Sequence, residues 1–298
     1  MWGTVDALGF LLLCVIWSTT WQAIRVCLTG YPPFLGAGLR FLLAVAILAG
    51  LLVIRRRSFR LPGGSGQHLA LFGAGVVNGL GYALVYVAEQ TLSGGTTAIL
   101  CASSPLFTLL FARLFGLEPL IPRRIAGMSI GLAGIALLFW DGQLFGPGQA
   151  KAMVWALLAA AVMWPLYGAL LKRHAQNLPA LVSTLYFLFY TALCLLVLAV
   201  LFGEPLTTFL SAPPKAHLAL LYLAVSGSVV AWTVYLSLLR RIELSVLSTI
   251  GLLQPLLALA LDFLLKQTQL GPRGYAGTVL VVAAMGLSLA PWRGKRPV

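Results

Sequence analysis

Seven carboxylates (Asp6, Glu89, Glu118, Asp141, Glu204, Glu243, Asp262) and three histidines (His68, His174, His217) are the chain's stock of acid–base groups, and all sit at or near the ends of apolar runs. No Ser-His-Asp arrangement, paired carboxylates or metal-ligand spacing joins them, so hydrolytic and metal chemistry lack a candidate set. Cys14, Cys27, Cys101 and Cys194 are scattered, with no CxxC. No phosphate-cradling glycine motif occurs, which argues against a nucleotide-driven pump. No cofactor is expected, and the chain is read as a non-enzyme.

What recurs instead is a set of aromatic and small polar side chains spaced three or four apart inside apolar stretches. "WSTTWQAIR" (17–25) holds Trp17, Thr20 and Trp21 on one face, with Ile24. Asn78, Tyr82 and Tyr86 form a second face, extending to Glu89; Thr97, Cys101, Ser104 and Thr108 form a third. Trp164 lies beside Tyr167 and Gly168; Ser183, Tyr186 and Tyr190 share a face; so do Ser228, Trp232 and Tyr235; Gln254 precedes Pro255. A polar group facing lipid has no partner, so these faces should turn inward. If they converge, they make an aromatic-walled cavity with a few hydrogen-bonding groups, chemistry suited to binding an amphipathic small molecule. Hydroxyls in such helices also bond back to their own backbone, which is the plain alternative for any one of them. Trp2, Trp140, Trp155 and Trp292, near the ends of runs, read as interfacial anchors.

The elements that must hold these residues are membrane helices. Of the 298 residues 60% are hydrophobic and 9% charged, against about 25% charged in a soluble domain. The apolar runs are continuous, about 20 residues each, and do not alternate as barrel strands do. Breaks at Gly, Pro and charge clusters divide the chain into ten predicted spans: 4–27, 32–54, 67–88, 94–115, 122–140, 150–171, 179–202, 215–238, 244–265 and 271–290. The class is therefore an all-α polytopic membrane protein.

Charge sets the expected orientation. Of the 20 Lys and Arg, 14 fall on one set of span ends (Arg55, Arg56, Arg57, Arg60, Arg113, Arg123, Arg124, Lys172, Arg173, Arg240, Arg241, Arg293, Lys295, Arg296), and Lys151, Lys215, Lys266 and Arg273 on the other. The positive-inside rule puts the first set, and both termini, in the cytoplasm. The net charge of +13 is spread over short loops and does not point to nucleic acid. The first apolar run has no basic region ahead of it and reads as a span rather than a cleaved signal. Arg40, about eight residues or roughly 12 Å into its span, is either a partner for a substrate carboxylate or a group tied to helix carbonyls.

"LIPRRIAG" (120–127) returns as "LGPRGYAG" (270–277), and in the same register Pro105 meets Pro255; Trp17 meets Trp164 in nearly that register. Two units of five spans, 1–145 and 146–298, are expected, the second inverted because five is odd. Pro105 and Pro255, mid-span in this reading, are candidate hinges. Gly75-xxx-Gly79 and Gly127-xxx-Gly131 permit close helix contact.

Trp17-Ser18, Pro33 with Arg40, Pro105, and "LFGLEPLIPRRIAGMSIGLAGIALL" (114–138) including Glu118 resemble the ten-helix drug/metabolite transporter superfamily of the EamA-repeat type, over nearly the whole chain. The second half departs from the pattern at Thr268, where Glu118 has its counterpart. The resemblance implies a bacterial inner-membrane exporter of amino acids or other small metabolites or drugs, working by alternating access. Its partners would be the small-molecule substrate and the bilayer, with no nucleic acid, and the chain is expected to act as a monomer. Acidic residues confined to span ends favour a uniporter or exchanger driven by the substrate's own gradient. A proton-coupled drug antiporter, or a translocase of lipid or lipid-linked sugar, is the alternative.

Overall fold

In the computed structural model the described residues are 3–61, 64–92, 97, 100–138, 149–254, 257 and 272–289. They are helical, with no strand among them. The principal helices are α1 (Thr4–Cys27), α2 (Pro33–Ile54), α3 (Ser65–Ala88), α4 (Ser104–Leu114), α5 (Pro122–Leu138), α6 (Gln149–His174), α7 (Ala180–Leu201), α8 (Pro214–Leu239), α9 (Leu244–Gln254) and α10 (Pro272–Leu289). Among the described residues six, α1, α2, α3, α6, α7 and α8, are long and apolar enough to cross a membrane, while α4 and α9 are shorter apolar helices. The boundary expected at 145/146 lies outside the described residues, as do Pro255, Trp2, Trp140 and Trp292.

Helix starts follow the sequence. Prolines open α2, α5, α8 and α10, where the missing N–H costs nothing because first-turn donors have no helical partner. The chain is turned at 102–103 and α4 begins at Ser104, so Pro105 sits in the first turn of a helix. Residues 100 and 101, before the turn, are helical too, so the chain is helical on both sides of it.

Helix pairing is set by small residues. α2 and α7 run antiparallel: Gly38 opposes Leu196, and the Phe34 and Phe202 rings lie 5.1 Å apart. A Cβ on Gly75 would stand 2.9 Å from the carbonyl of Phe187, and one on Gly79 would stand 3.2 Å from that of Thr191, so both glycines let α3 lie directly on α7. Asn78 joins this contact, donating to Thr191 Oγ1 at 3.2 Å. α5 and α10 also run antiparallel, Gly131 against Ala284 and Gly134 against Leu280 and the Gly277 carbonyl. α1 lies against α8, with Gly9 facing Leu238 at one end and Gly30, just past α1, facing Ala216 at the other. Apolar side chains left exposed, such as Val5, Leu8 and Leu11 on α1 and Val197 and Val200 on α7, lie on the outer surface, where hydrocarbon rather than water is the fitting solvent.

Two carboxylates join elements at opposite ends of the molecule. Glu204, past α7, accepts the Phe34 and Leu35 N–H groups at 3.1 and 2.6 Å and so caps α2. Glu118, past α4, accepts the Leu244 N–H at 2.5 Å and the Ser245 hydroxyl, capping α9; Arg124 bridges Glu118, Ser245 and Glu243. Each supplies from another element the acceptor that a helix start lacks.

Candidate functional site

α8 is not one regular helix. Residues 225–230 form a π-helical turn, and Ser228 Oγ donates to the Leu223 carbonyl five residues back, at 2.9 Å. Its partner lies on α2. Arg40, fully buried, donates from Nε to Ser228 Oγ (2.9 Å) and from Nη2 to the Gly227 carbonyl (3.0 Å), while its guanidinium stacks near the rings of Phe41 and Tyr82 (4.9 and 5.0 Å). A Cβ on Gly227 would sit 2.9 Å from both Arg40 Nη2 and Thr20 Cγ2, so glycine is needed for this approach. Single π-turns of this kind recur at functional sites. This one ends two residues before Trp232.

Trp232 stands in an aromatic cluster with Trp17 at 5.5 Å, Tyr167 at 5.6 Å, Tyr235 at 5.4 Å and Phe187 at 4.9 Å. Trp164 continues the wall, 6.1 Å from Trp21 and 6.0 Å from Tyr82. Gly81 admits this closeness: a Cβ there would be 3.0 Å from Trp164 Nε1. All of these rings except Phe187 border an open cavity of about 110 Å³. α1, α4, α6, α8 and α9 all contribute to its wall, with Tyr82 from α3. The two sides are joined directly where Trp21 Nε1 donates to Gln254 Oε1 at 3.1 Å, and Ser104 Oγ donates to the Ala161 carbonyl at 2.9 Å.

Trp17, Thr20, Trp21, Tyr82, Cys101, Ser104, Trp164, Trp232 and Gln254 line the cavity together. Four other candidates lie elsewhere. Arg40 lies behind Tyr82, engaged with the π-turn, and Tyr86 is buried on the same side. Asn78 serves the α3–α7 contact. Tyr186 donates to the Phe59 carbonyl at 3.1 Å and meets the His68 ring edge-on. Gln22 and Arg25 are exposed, and so is Trp155. Thr20 Oγ1 donates to the Trp17 carbonyl at 2.7 Å and Ser18 Oγ to that of Cys14 at 2.5 Å, so these hydroxyls bond back to their own helix.

Sequence reasoning passed over Pro165. It lies inside α6, lines the cavity and follows Trp164; an interior proline flanked by cavity aromatics was the available signal. The α9 wall (Leu244, Leu247, Ile250) had none, since apolar side chains there read the same whether they face lipid, core or cavity. No acidic side chain lines the cavity among the described residues. The indole N–H groups of Trp17, Trp164 and Trp232 are buried without a hydrogen-bond acceptor.

Comparison with known proteins adds a family. The model of the EamA-like transporter family matches residues 5–140 and again 151–290. The chain is 30% identical over 255 residues to the inner membrane transporter YedA of Escherichia coli K12, covering 84% of this chain and 79% of that one. It is 26% identical over 300 residues to a protein of Salmonella typhimurium LT2 described as a probable amino-acid metabolite efflux pump, covering 98% and 97%. A solved crystal structure superposes with a TM-score of 0.77 at 23% identity, over 96% of each chain, which concerns the fold alone.

Proposed function

The chain belongs to the EamA-like transporter family, and on that premise we propose that it exports small amphipathic, aromatic-bearing metabolites, amino acids among them, across a bacterial inner membrane by alternating access. The carrying observation is the aromatic cavity, whose wall draws on helices from both matched segments. Aromatic walls bind flat apolar groups. The unsatisfied indole donors favour a substrate that also brings hydrogen-bond acceptors, such as a carboxylate or carbonyl. Inner-membrane placement and export are drawn from the relatives' descriptions.

We further propose that the chain crosses the bilayer ten times as two inverted units. The two antiparallel pairs, α2 with α7 and α5 with α10, support this, because each joins helices that correspond under the internal repeat. Equivalent helices running in opposite directions are what inversion requires. Cytoplasmic termini follow from the arginine-rich ends.

The test is the melting temperature of the purified protein in detergent against amino acids, aromatic carboxylates and aromatic cations. A compound that binds only the folded state raises it by mass action. A rise with one class in the wild type, absent in Trp17→Ala, supports both the substrate class and the site. An equal rise in Trp17→Ala overturns the site. No rise with any of these classes, beside a rise with phospholipids added in parallel, overturns the substrate class.

A further inference from the structure

Glu89 follows the last turn of α3, its N–H bonded to the Val85 carbonyl at 2.9 Å. It is 4% exposed, and neither carboxyl oxygen has a hydrogen-bond partner. Every other acid among the described residues is engaged: Asp6 with Arg241, Glu118 with Leu244 and Ser245, Glu204 with Phe34 and Leu35, Glu243 with Arg124. Glu89 is therefore the one described carboxyl that is buried and bonded to nothing.

The charged and titratable groups facing it are Arg25 from α1, Arg40 from α2 and Cys101 ahead of α4. Neither arginine closes to an ion pair with it, but both are near enough to favour its charged form. Cys101 lines the cavity and lies within reach of the Glu89 charge. A carboxylate stripped of water and of partners costs too much free energy to persist, so such a group holds its proton. The opposition between burial and two nearby arginines makes that state easy to reverse: a small movement that admits Arg25 or water favours the anion.

We propose that Glu89 is a proton-binding site that links transport to the proton gradient. The carboxyl is protonated in the arrangement seen here. When the elements around it part and admit water, its O–H bond breaks, the electron pair stays on the carboxylate, and the proton passes to water. Arg25 then steadies the anion until reprotonation allows closure. Lower pH favours the closed arrangement, and higher pH the opened one. This favours the proton-coupled alternative over purely downhill transport, because Glu89, although at a span end, is buried and without a partner. It rests on the transport reading above, and the two can fail separately.

Infrared spectroscopy of the full-length protein in liposomes tests the site without any substrate. At mildly acidic pH the wild type should show the carbonyl stretch of an unbonded carboxylic acid that Glu89→Gln lacks. That band should shift in D2O and vanish as the pH is raised to alkaline values. Should Glu89→Gln fail to fold, Glu89→Asp, which moves the band in frequency, assigns it equally. Absence of the band, or a band that neither exchanges nor titrates, overturns the proposal. In the same liposomes, labelled tryptophan should accumulate under an imposed pH gradient, and Glu89→Gln should abolish that response. Tryptophan movement indifferent to the gradient also overturns the coupling and leaves transport standing. Failure to move tryptophan at all counts against the substrate reading, while the infrared result still decides Glu89.

Discussion

Trp17 and Trp232 lie 5.5 Å apart on one cavity wall yet respond differently to truncation. Trp232 is almost fully buried, with four aromatic neighbours. Trp232→Ala should cost about 3–5 kcal/mol and appear first as a lower melting temperature. Trp17 is half-buried, so its loss should weaken ligand-induced stabilisation well before it weakens the fold. Measuring both variants with and without ligand separates wall from core; similar losses in both measurements for the two variants would deny the distinction. The residue scale is also where the sequence was least legible. Arg40 and Trp17 both read as site residues because each is a costly side chain inside an apolar run. The structure turns one onto a π-turn and the other onto the cavity, and α-helical spacing carries no signal for an extra residue in the turn.

Elements pair here through missing side chains. Gly75→Leu should separate α3 from α7, because even a Cβ would stand 2.6 Å from the Tyr190 Cβ and 2.9 Å from the Phe187 carbonyl. A marked loss of folded yield is expected, with Gly73→Leu as the tolerated control, since no atom lies within 4 Å of a Cβ there; size-exclusion of the detergent-extracted variants reads both. Arg40→Leu should lower the melting temperature by the equivalent of about 1–3 kcal/mol, as it removes the charged donor to the Gly227 carbonyl and Ser228. If ligand binding falls by more than stability does, the π-turn is aiming Trp232 rather than merely holding α8. Most element positions were legible: continuous apolar runs, Pro starts and glycine pairs marked α1, α2, α3 and α7 closely. The start of α4 was not, because a proline inside an apolar run reads equally as a kink and as a beginning.

At the scale of the whole molecule, the inverted arrangement predicts which connections share a side. Cysteines at Thr29 and Gly203, in a background lacking the four native ones, should react with an impermeant thiol reagent added to intact cells. Cysteines at Arg56 and Gly116 should react only after the membrane is opened. Labelling of both pairs from the same side would remove the topology. The repeat itself was visible as "LIPRRIAG" and "LGPRGYAG", since prolines and glycines at helix starts and contacts survive when apolar residues interchange. The bonds between the halves were not visible, because Glu118 and Glu204 each find partners far away in sequence.

That remoteness bears on how the protein is made. The first turn of α2 leaves the ribosome with the Phe34 and Leu35 N–H groups open, and the carboxylate that closes them belongs to Glu204, 170 and 169 residues later. Until then the first turn of α2 has only water to serve its open N–H groups. Synthesis of the first half alone therefore yields an incomplete object rather than half a carrier. A ribosome stalled after the first unit should leave a segment that the membrane's quality-control proteases recognise and remove.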